Sequence, residues 1–299
     1  MFQDEYSRWC QAELVDFDLK RELTEIAGDE DAIRERFAAS ISFGTAGLRG
    51  TLGVGTNRMN IWVVRQATQG IADWVKTKGG SQTVAISYDS RLKGWNFARD
   101  AASVLAANGI QVRLYDELMP VPALSFATRY YNCNAGIMIT ASHNPAKYNG
   151  YKAYGADGCQ VTDEDAAIVY AAIQKTDVLG GAKFMSFAEG VEKGLIRFVE
   201  DACKEAFYAA VESRQVRPGI CKTAGLKLVY SPLNGTGLVP VTRVLKDIGI
   251  EDVTIVKEQE YPNGYFTTCP YPNPEIFEAL EKGLALAKET GADLMLATD

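Results

Sequence analysis

The sequence predicts an α/β protein built from two tandem units, and three observations carry that prediction. Short apolar runs alternate with stretches of helical period, the pattern of strands joined by helices. The alternation weakens between Thr176 and Gly194, where Gly180, Gly181 and Gly190 fall, and a second series opens at Leu226. A length of 299 residues, at about 150 per domain, also gives about two domains. The expected units are therefore 1–194 and 195–299, although no repeat in the sequence proves a duplication.

Taken in order, Asp4 to Ala39 has apolar residues at helical spacing among many charges and predicts one or two surface helices. Asn60 to Lys76 repeats Ile61, Val64, Thr68, Ile71 and Val75 at three- and four-residue steps, an amphipathic helix. Thr83–Tyr88 is a short apolar run that predicts a buried strand. A helix over Asn96–Asn108 is closed by Gly109, and Ile110–Tyr115 forms the next strand. Pro122 opens a helix that runs to Tyr131. Ala135–Ile139 is a third strand, followed by the polar loop Thr140–Gly150 and then Tyr151–Tyr154. Thr162–Lys175 is helical, and a helix over Ile196–Glu212 is expected to bridge into the second unit. That unit reads as strand Leu226–Tyr230, helix Leu238–Ile248, strand Val253–Val256, a proline-rich loop, helix Glu275–Glu289 and strand Asp293–Ala297.

Composition narrows the function. Net charge is -7, so a broad nucleic-acid surface is not expected, and an anionic ligand would need a local basic site. The N-terminus is acidic and shows no signal peptide, and no apolar stretch approaches the ~20 residues of a membrane span, so a cytoplasmic protein is expected. Six cysteines are scattered with no C-x-x-C pair, which favours reduced thiols over a zinc or disulfide framework. A single histidine, His143, excludes histidine-rich metal sites and most two-histidine acid/base schemes.

Four loops could carry chemistry. Thr140-Ala141-Ser142-His143-Asn144-Pro145 follows a buried strand, where ligands bind in open α/β sheets, and Lys147 and Lys152 add positive charge beyond it. It puts a hydroxyl beside the only histidine, but adjacent side chains in an extended loop diverge and no G-x-S-x-G elbow is present. A polar turn with an incidental serine fits the same residues. Gly44-Thr45-Ala46-Gly47-Leu48-Arg49-Gly50 could present backbone N–H groups and Arg49 to an oxyanion, or could be a flexible turn. Asp89-Ser90-Arg91 ends a strand and could place Arg91 at the same sheet edge, or leave it as a surface charge. Asn234-Gly235-Thr236-Gly237 lacks a full dinucleotide fingerprint and a P-loop lysine, and a tight turn is the simpler reading. Asp299 is a lone carboxylate at a strand end, too few oxygens for a metal by itself.

Together and in this order, these loops resemble the α-D-phosphohexomutase superfamily of phosphoglucomutases and phosphomannomutases. The resemblance rests on Phe43–Gly50, Tyr88-Asp89-Ser90-Arg91, Thr140–Pro145 with Asn149-Gly150-Tyr151-Lys152, Ser231–Gly237, Pro272-Asn273-Pro274-Glu275 and Leu296-Ala297-Thr298-Asp299. Ala46 and Leu48 are similar to the large phosphoglucomutase/phosphopentomutase branch. The family implies two tandem three-layer α/β/α domains with mixed, mainly parallel sheets. It also implies an enzyme that moves phosphate between the 1- and 6-positions of a hexose, or the 1- and 5-positions of a pentose, through a phosphoserine and a sugar 1,6-bisphosphate.

The resemblance assigns roles position by position. Ser142 matches the phosphoserine, whose phosphate is one ligand of Mg²⁺, and Asp299 matches the first of three metal-loop aspartates. Lys152 matches a candidate general acid/base, Arg49 an arginine on the transferring phosphate, and His143 a proton-relay candidate. Thr45, Arg91 and Asn144 join Arg49 and Lys152 as expected phosphate- or substrate-binding residues. Phosphoryl transfer needs such positioning and charge neutralisation more than covalent chemistry. Family members have four domains, so the chain is expected to be a fragment of domains I and II that is inactive without III and IV. Two alternatives stay open: a metal-dependent phosphatase with a serine nucleophile, and a sugar-phosphate-binding module without catalysis.

Overall fold

The computed structural model describes residues 2–44 and 47–299. Three helices, not one or two, precede the first strand: α1 (Phe2–Gln11), α2 (Phe17–Glu25) and α3 (Glu30–Phe37). The Asp16 and Asp29 side chains cap the second and third by accepting from backbone N–H groups. These local stops divide a stretch whose apolar period reads as continuous. The chain then forms β1 (Gly47–Thr51), α4 (Ile61–Lys78), β2 (Thr83–Tyr88), α5 (Gly94–Ala107), β3 (Gln111–Leu114), α6 (Val121–Tyr130), β4 (Ala135–Ile139) and β5 (Tyr148–Gly155). Next come α7 (Asp163–Lys175), α8 (Phe187–Glu192), β6 (Ile196–Phe198) and α9 (Asp201–Glu212). The remainder is α10 (Ile220–Ala224), β7 (Lys227–Ser231), α11 (Leu238–Asp247), β8 (Asp252–Ile255), α12 (Phe277–Thr290) and β9 (Leu294–Ala297).

Six strands form one sheet in the order β1-β5-β4-β2-β3-β6. β2, β3, β4 and β6 run parallel, while β5 is antiparallel to both β4 and β1. Every residue of β2 and β4 is buried, which explains their unbroken apolar runs. Side-chain alternation sends Val84, Ile86, Ile137, Ile139, Tyr151 and Ala153 into one core with α4, α5 and α7. Ala85, Met138 and Tyr154 enter a second core with α6 and α9. The sheet therefore lies between two helical layers, and burying each large apolar side chain contributes about 1.5–3 kcal/mol.

Ile196–Phe198 departs from the sequence reading. These residues pair with β3 as the sixth strand, and the helix begins only at Asp201. Val112 and Leu114 offer their ladder to Ile196 and Phe198, a tertiary demand that local period does not register. The first sheet thus runs past the expected 194/195 division.

The second sheet is parallel, in the order β8-β7-β9. Its core joins Leu228 and Tyr230 to Leu245 and Ile250, and a smaller cluster joins Leu233, Cys269 and Ala279. All six cysteines are free thiols. Among the described residues no helix is long and apolar enough to cross a membrane.

Candidate active site at the serine loop

The loop after β4 brings Ser142 to the C-terminal edge of the first sheet. Ser142 adopts φ 52°, the left-handed region, and its N–H donates to Thr140 Oγ1 at 2.9 Å. Such a backbone persists only where its surroundings over-determine it. Arg91 supplies that constraint. Its side chain is 1% exposed, and its Nη1 donates to the carbonyls of Pro145 and Tyr148, both at 3.1 Å. Its Nη2 donates to the Ser142 and Asn144 carbonyls. Arg91 was expected to bind phosphate, but its guanidinium is spent holding the serine loop from behind. The sequence could place Arg91 at the sheet edge but could not tell which way it faces.

Asp299 arrives from the second sheet. Ser142 Oγ donates to Asp299 Oδ2 at 2.7 Å, and His143 Nδ1 lies 3.7 Å from the same oxygen. Thr298 fixes the approach: its N–H donates to the Ser231 carbonyl at 3.1 Å, and its hydroxyl lies 2.8 Å from Tyr230 Oη. Three of the expected residues, Ser142, Lys152 and Asp299, line one cavity of about 220 Å³. Gly235 and Thr236 line it too, so the turn after β7 is also a wall of the site.

Lys152 and Arg49 come from neighbouring strands. In the β1–β5 ladder Gly47 lies opposite Lys152 and Arg49 opposite Gly150. Gly47 has φ 152°, and a Cβ there would stand 1.9 Å from the Tyr151 carbonyl oxygen, so only glycine lets β1 approach this closely. Arg49 is exposed and donates from Nη1 to Asn144 Oδ1 at 3.0 Å, which ties the two expected binding residues together. Thr45, also expected to bind phosphate, lies outside the described residues, as does its neighbour Ala46.

The site's electrostatics follow from burial. Lys152 is held below the ordinary lysine value, first by desolvation and then by the Arg49 cation, against the pull of Asp299 and Asp89. Asp89 is pushed up to about 6, because burial outweighs the stabilising Arg91 charge and the Thr140 hydroxyl. Its Oδ1 accepts the Arg91 N–H at 3.0 Å. Asp89 lines the cavity, as do Met138, Phe266 and Pro272. Of these, Phe266 had no sequence signal, because it sits in a proline-rich loop whose course depends on the first unit.

As a cation site, the serine and carboxylate present two hard oxygens. Among the described residues no group of three His, Cys, Asp or Glu side chains comes together. Magnesium takes one or two carboxylates with phosphate oxygens and keeps several waters, so this donor set would fit it if Ser142 were phosphorylated.

Residues 40–179 match the family described as phosphoglucomutase/phosphomannomutase, alpha/beta/alpha domain I, and residues 205–299 match alpha/beta/alpha domain II. The chain is 36% identical over 263 residues to a phosphoglucomutase of Staphylococcus saprophyticus, covering 88% of this chain and 47% of that one. It is 33% identical over 266 residues to a Staphylococcus aureus phosphoglucomutase, covering 89% and 47%. A crystal structure described as a candidate phosphomannomutase from Thermus thermophilus superposes with TM-score 0.73 at 25% identity, over 87% of this chain and 55% of that one. The chain spans about half the length of the curated relatives it matches. By these two domain matches and the fold that accompanies them, the chain belongs to the phosphoglucomutase/phosphomannomutase family.

Proposed function

We propose that this chain forms the phosphoserine centre of a phosphosugar mutase, with glucose as the first substrate to test and mannose or a pentose as alternatives. The observation that carries the reading is the Ser142 Oγ to Asp299 Oδ2 contact of 2.7 Å on a cavity that Lys152 also lines. The cavity is small, and its cations come from Lys152 and the neighbouring Arg49.

In the forward step the phosphoryl group leaves Ser142 Oγ and bonds to a sugar hydroxyl oxygen. The hydroxyl proton passes to Ser142 Oγ, so atoms and charge balance. Lys152 is the candidate carrier of that proton, because it lines the cavity beside Ser142 and burial and Arg49 hold it below the ordinary lysine value. Arg49 would meet the equatorial phosphate oxygens, and its bond to Asn144 Oδ1 supports this by tying its guanidinium to the serine loop. His143 flanks the same carboxylate and can shape or relay at its edge. Asp299 and phosphorylated Ser142 would hold Mg²⁺, which would neutralise charge on the phosphate. The bisphosphate then turns over and returns its other phosphoryl group to Ser142. A division into two units placed after β6, the cytoplasmic location and the need for two further domains in the whole enzyme belong to the same proposal.

The test is incubation of the whole enzyme with glucose 1,6-bisphosphate and Mg²⁺, followed by intact-mass and phosphopeptide analysis. One phosphoryl group on Ser142 is expected. Label elsewhere, or stoichiometric release of inorganic phosphate, would replace the mutase reading with a phosphatase or a binding module.

A further inference from the structure

We infer that Phe266 is a positioning residue for Ser142, reaching from the second unit through Arg91 to the serine loop; the inference rests on the phosphoserine reading above. Phe266 is 4% exposed and has φ 47°. A bulky residue in the left-handed region is a strained outlier, and such strain gathers where a side chain must be aimed. Its ring is aimed at Arg91, with the guanidinium carbon 5.1 Å from the ring centroid.

The backbone around it makes the same contact. Gly264 forms a bridge with Arg91. A Cβ on Gly264 would stand 2.7 Å from both the Ser90 carbonyl oxygen and the Leu92 nitrogen, so the two chains touch. Asn234 anchors this loop within its own unit. Its Nδ2 donates to the Tyr261 carbonyl at 2.8 Å, and its carbonyl accepts the Asn263 N–H at 3.0 Å.

The chemistry of the guanidinium explains the arrangement. Its N–H edges serve four carbonyls of the serine loop, which leaves its flat face as the open side. An aromatic ring covers that face by cation–π attraction and keeps water from competing for the N–H groups. Phe266 touches Arg91, and Arg91 touches the Ser142 carbonyl. The second unit thus supplies Asp299 to the Ser142 hydroxyl and Phe266 to the clamp beneath the Ser142 backbone.

The test compares wild type, Phe266→Leu and Tyr265→Ala in the whole enzyme that carries this chain. Tyr265 is the exposed neighbour in the same loop and serves as the control. Two quantities are read: the rate of phosphoryl uptake on Ser142 from glucose 1,6-bisphosphate, and amide hydrogen exchange across 140–148. Phe266→Leu is expected to lower the saturated rate about tenfold, the scale of one desolvated cation–π contact, with the half-saturating donor concentration nearly unchanged. Exchange should quicken in 140–148 and stay unchanged in β2. Tyr265→Ala should match wild type in both. Phe266→Met serves if the leucine variant does not fold. Unchanged rate and exchange, or equal effects in Tyr265→Ala, overturn the inference. A wild-type whole enzyme that takes up no phosphoryl group sinks the phosphoserine reading instead. Exchange then decides alone: quicker exchange in 140–148 upholds the clamp, and unchanged exchange overturns it.

Discussion

Ser142 and Asp299 stand 157 positions apart in sequence and share a hydrogen bond of 2.7 Å. The hydroxyl comes from the loop after β4 and the carboxylate from the end of β9, so one contact joins the two sheets. Ser142→Ala should remove all phosphoryl uptake from glucose 1,6-bisphosphate while leaving far-ultraviolet circular dichroism unchanged. Uptake that persists in this variant places the acceptor elsewhere.

Removal of divalent cations tests the carboxylate. Chelation should stop phosphoryl uptake in wild type, and added Mg²⁺ should restore it. Asp299→Ala should need at least about tenfold more Mg²⁺ for half-maximal rate, because the cation loses a carboxylate ligand. An unchanged Mg²⁺ requirement removes Asp299 from the metal site.

Arg91 is a structural cation. Arg91→Ala would leave Asp89 without its counter-charge and take one donor from each of four carbonyls, so a loss of about 3–5 kcal/mol in denaturant unfolding is expected. Arg91→Lys should recover only part, because an ammonium cannot span the fork of contacts. A loss below about 1 kcal/mol for the alanine variant would mean that water fills the gap readily.

Asp89 sets a pH dependence. Its folded value is raised from 3.8 to about 6, with burial the main cause and Arg91 opposing it. Its contribution is therefore full below pH 3.8 and is lost as pH rises through about 6. Between those limits wild type should lose about 2–3 kcal/mol relative to Asp89→Asn, which cannot ionise. Parallel stability–pH curves for the two proteins would show that Asp89 titrates normally in the fold.

Much of the fold was legible because its signals are local. Thr83–Tyr88 and Ala135–Ile139 are apolar runs bounded by turn residues, and both are strands over those residues. Asn60 and Thr162 mark helix starts because their side chains cap backbone N–H groups. What was not legible depends on partners distant in sequence. Ile196–Phe198 is a strand only because β3 offers an open ladder. Arg91 reads as a ligand-facing cation until the carbonyls it serves are in place. Phe266 gives no local hint of its positive φ or of the guanidinium beneath it. The order of the loops points to Ser142, Lys152 and Arg49 as candidates, whereas the alignment of Ser142 with Asp299 is a product of tertiary packing.

The β5 ladder makes the site more sensitive to chain length than to side-chain chemistry. Lys152 sits opposite Met138 on one side and Gly47 on the other, between Tyr151 and Ala153, which point into the core on the opposite face. Inserting or deleting one residue between Pro145 and Lys152 would exchange those faces, driving the ammonium inward and turning an aromatic ring toward the cavity. Single-residue indels in this stretch should therefore be lost from a functional library even at places where many substitutions survive.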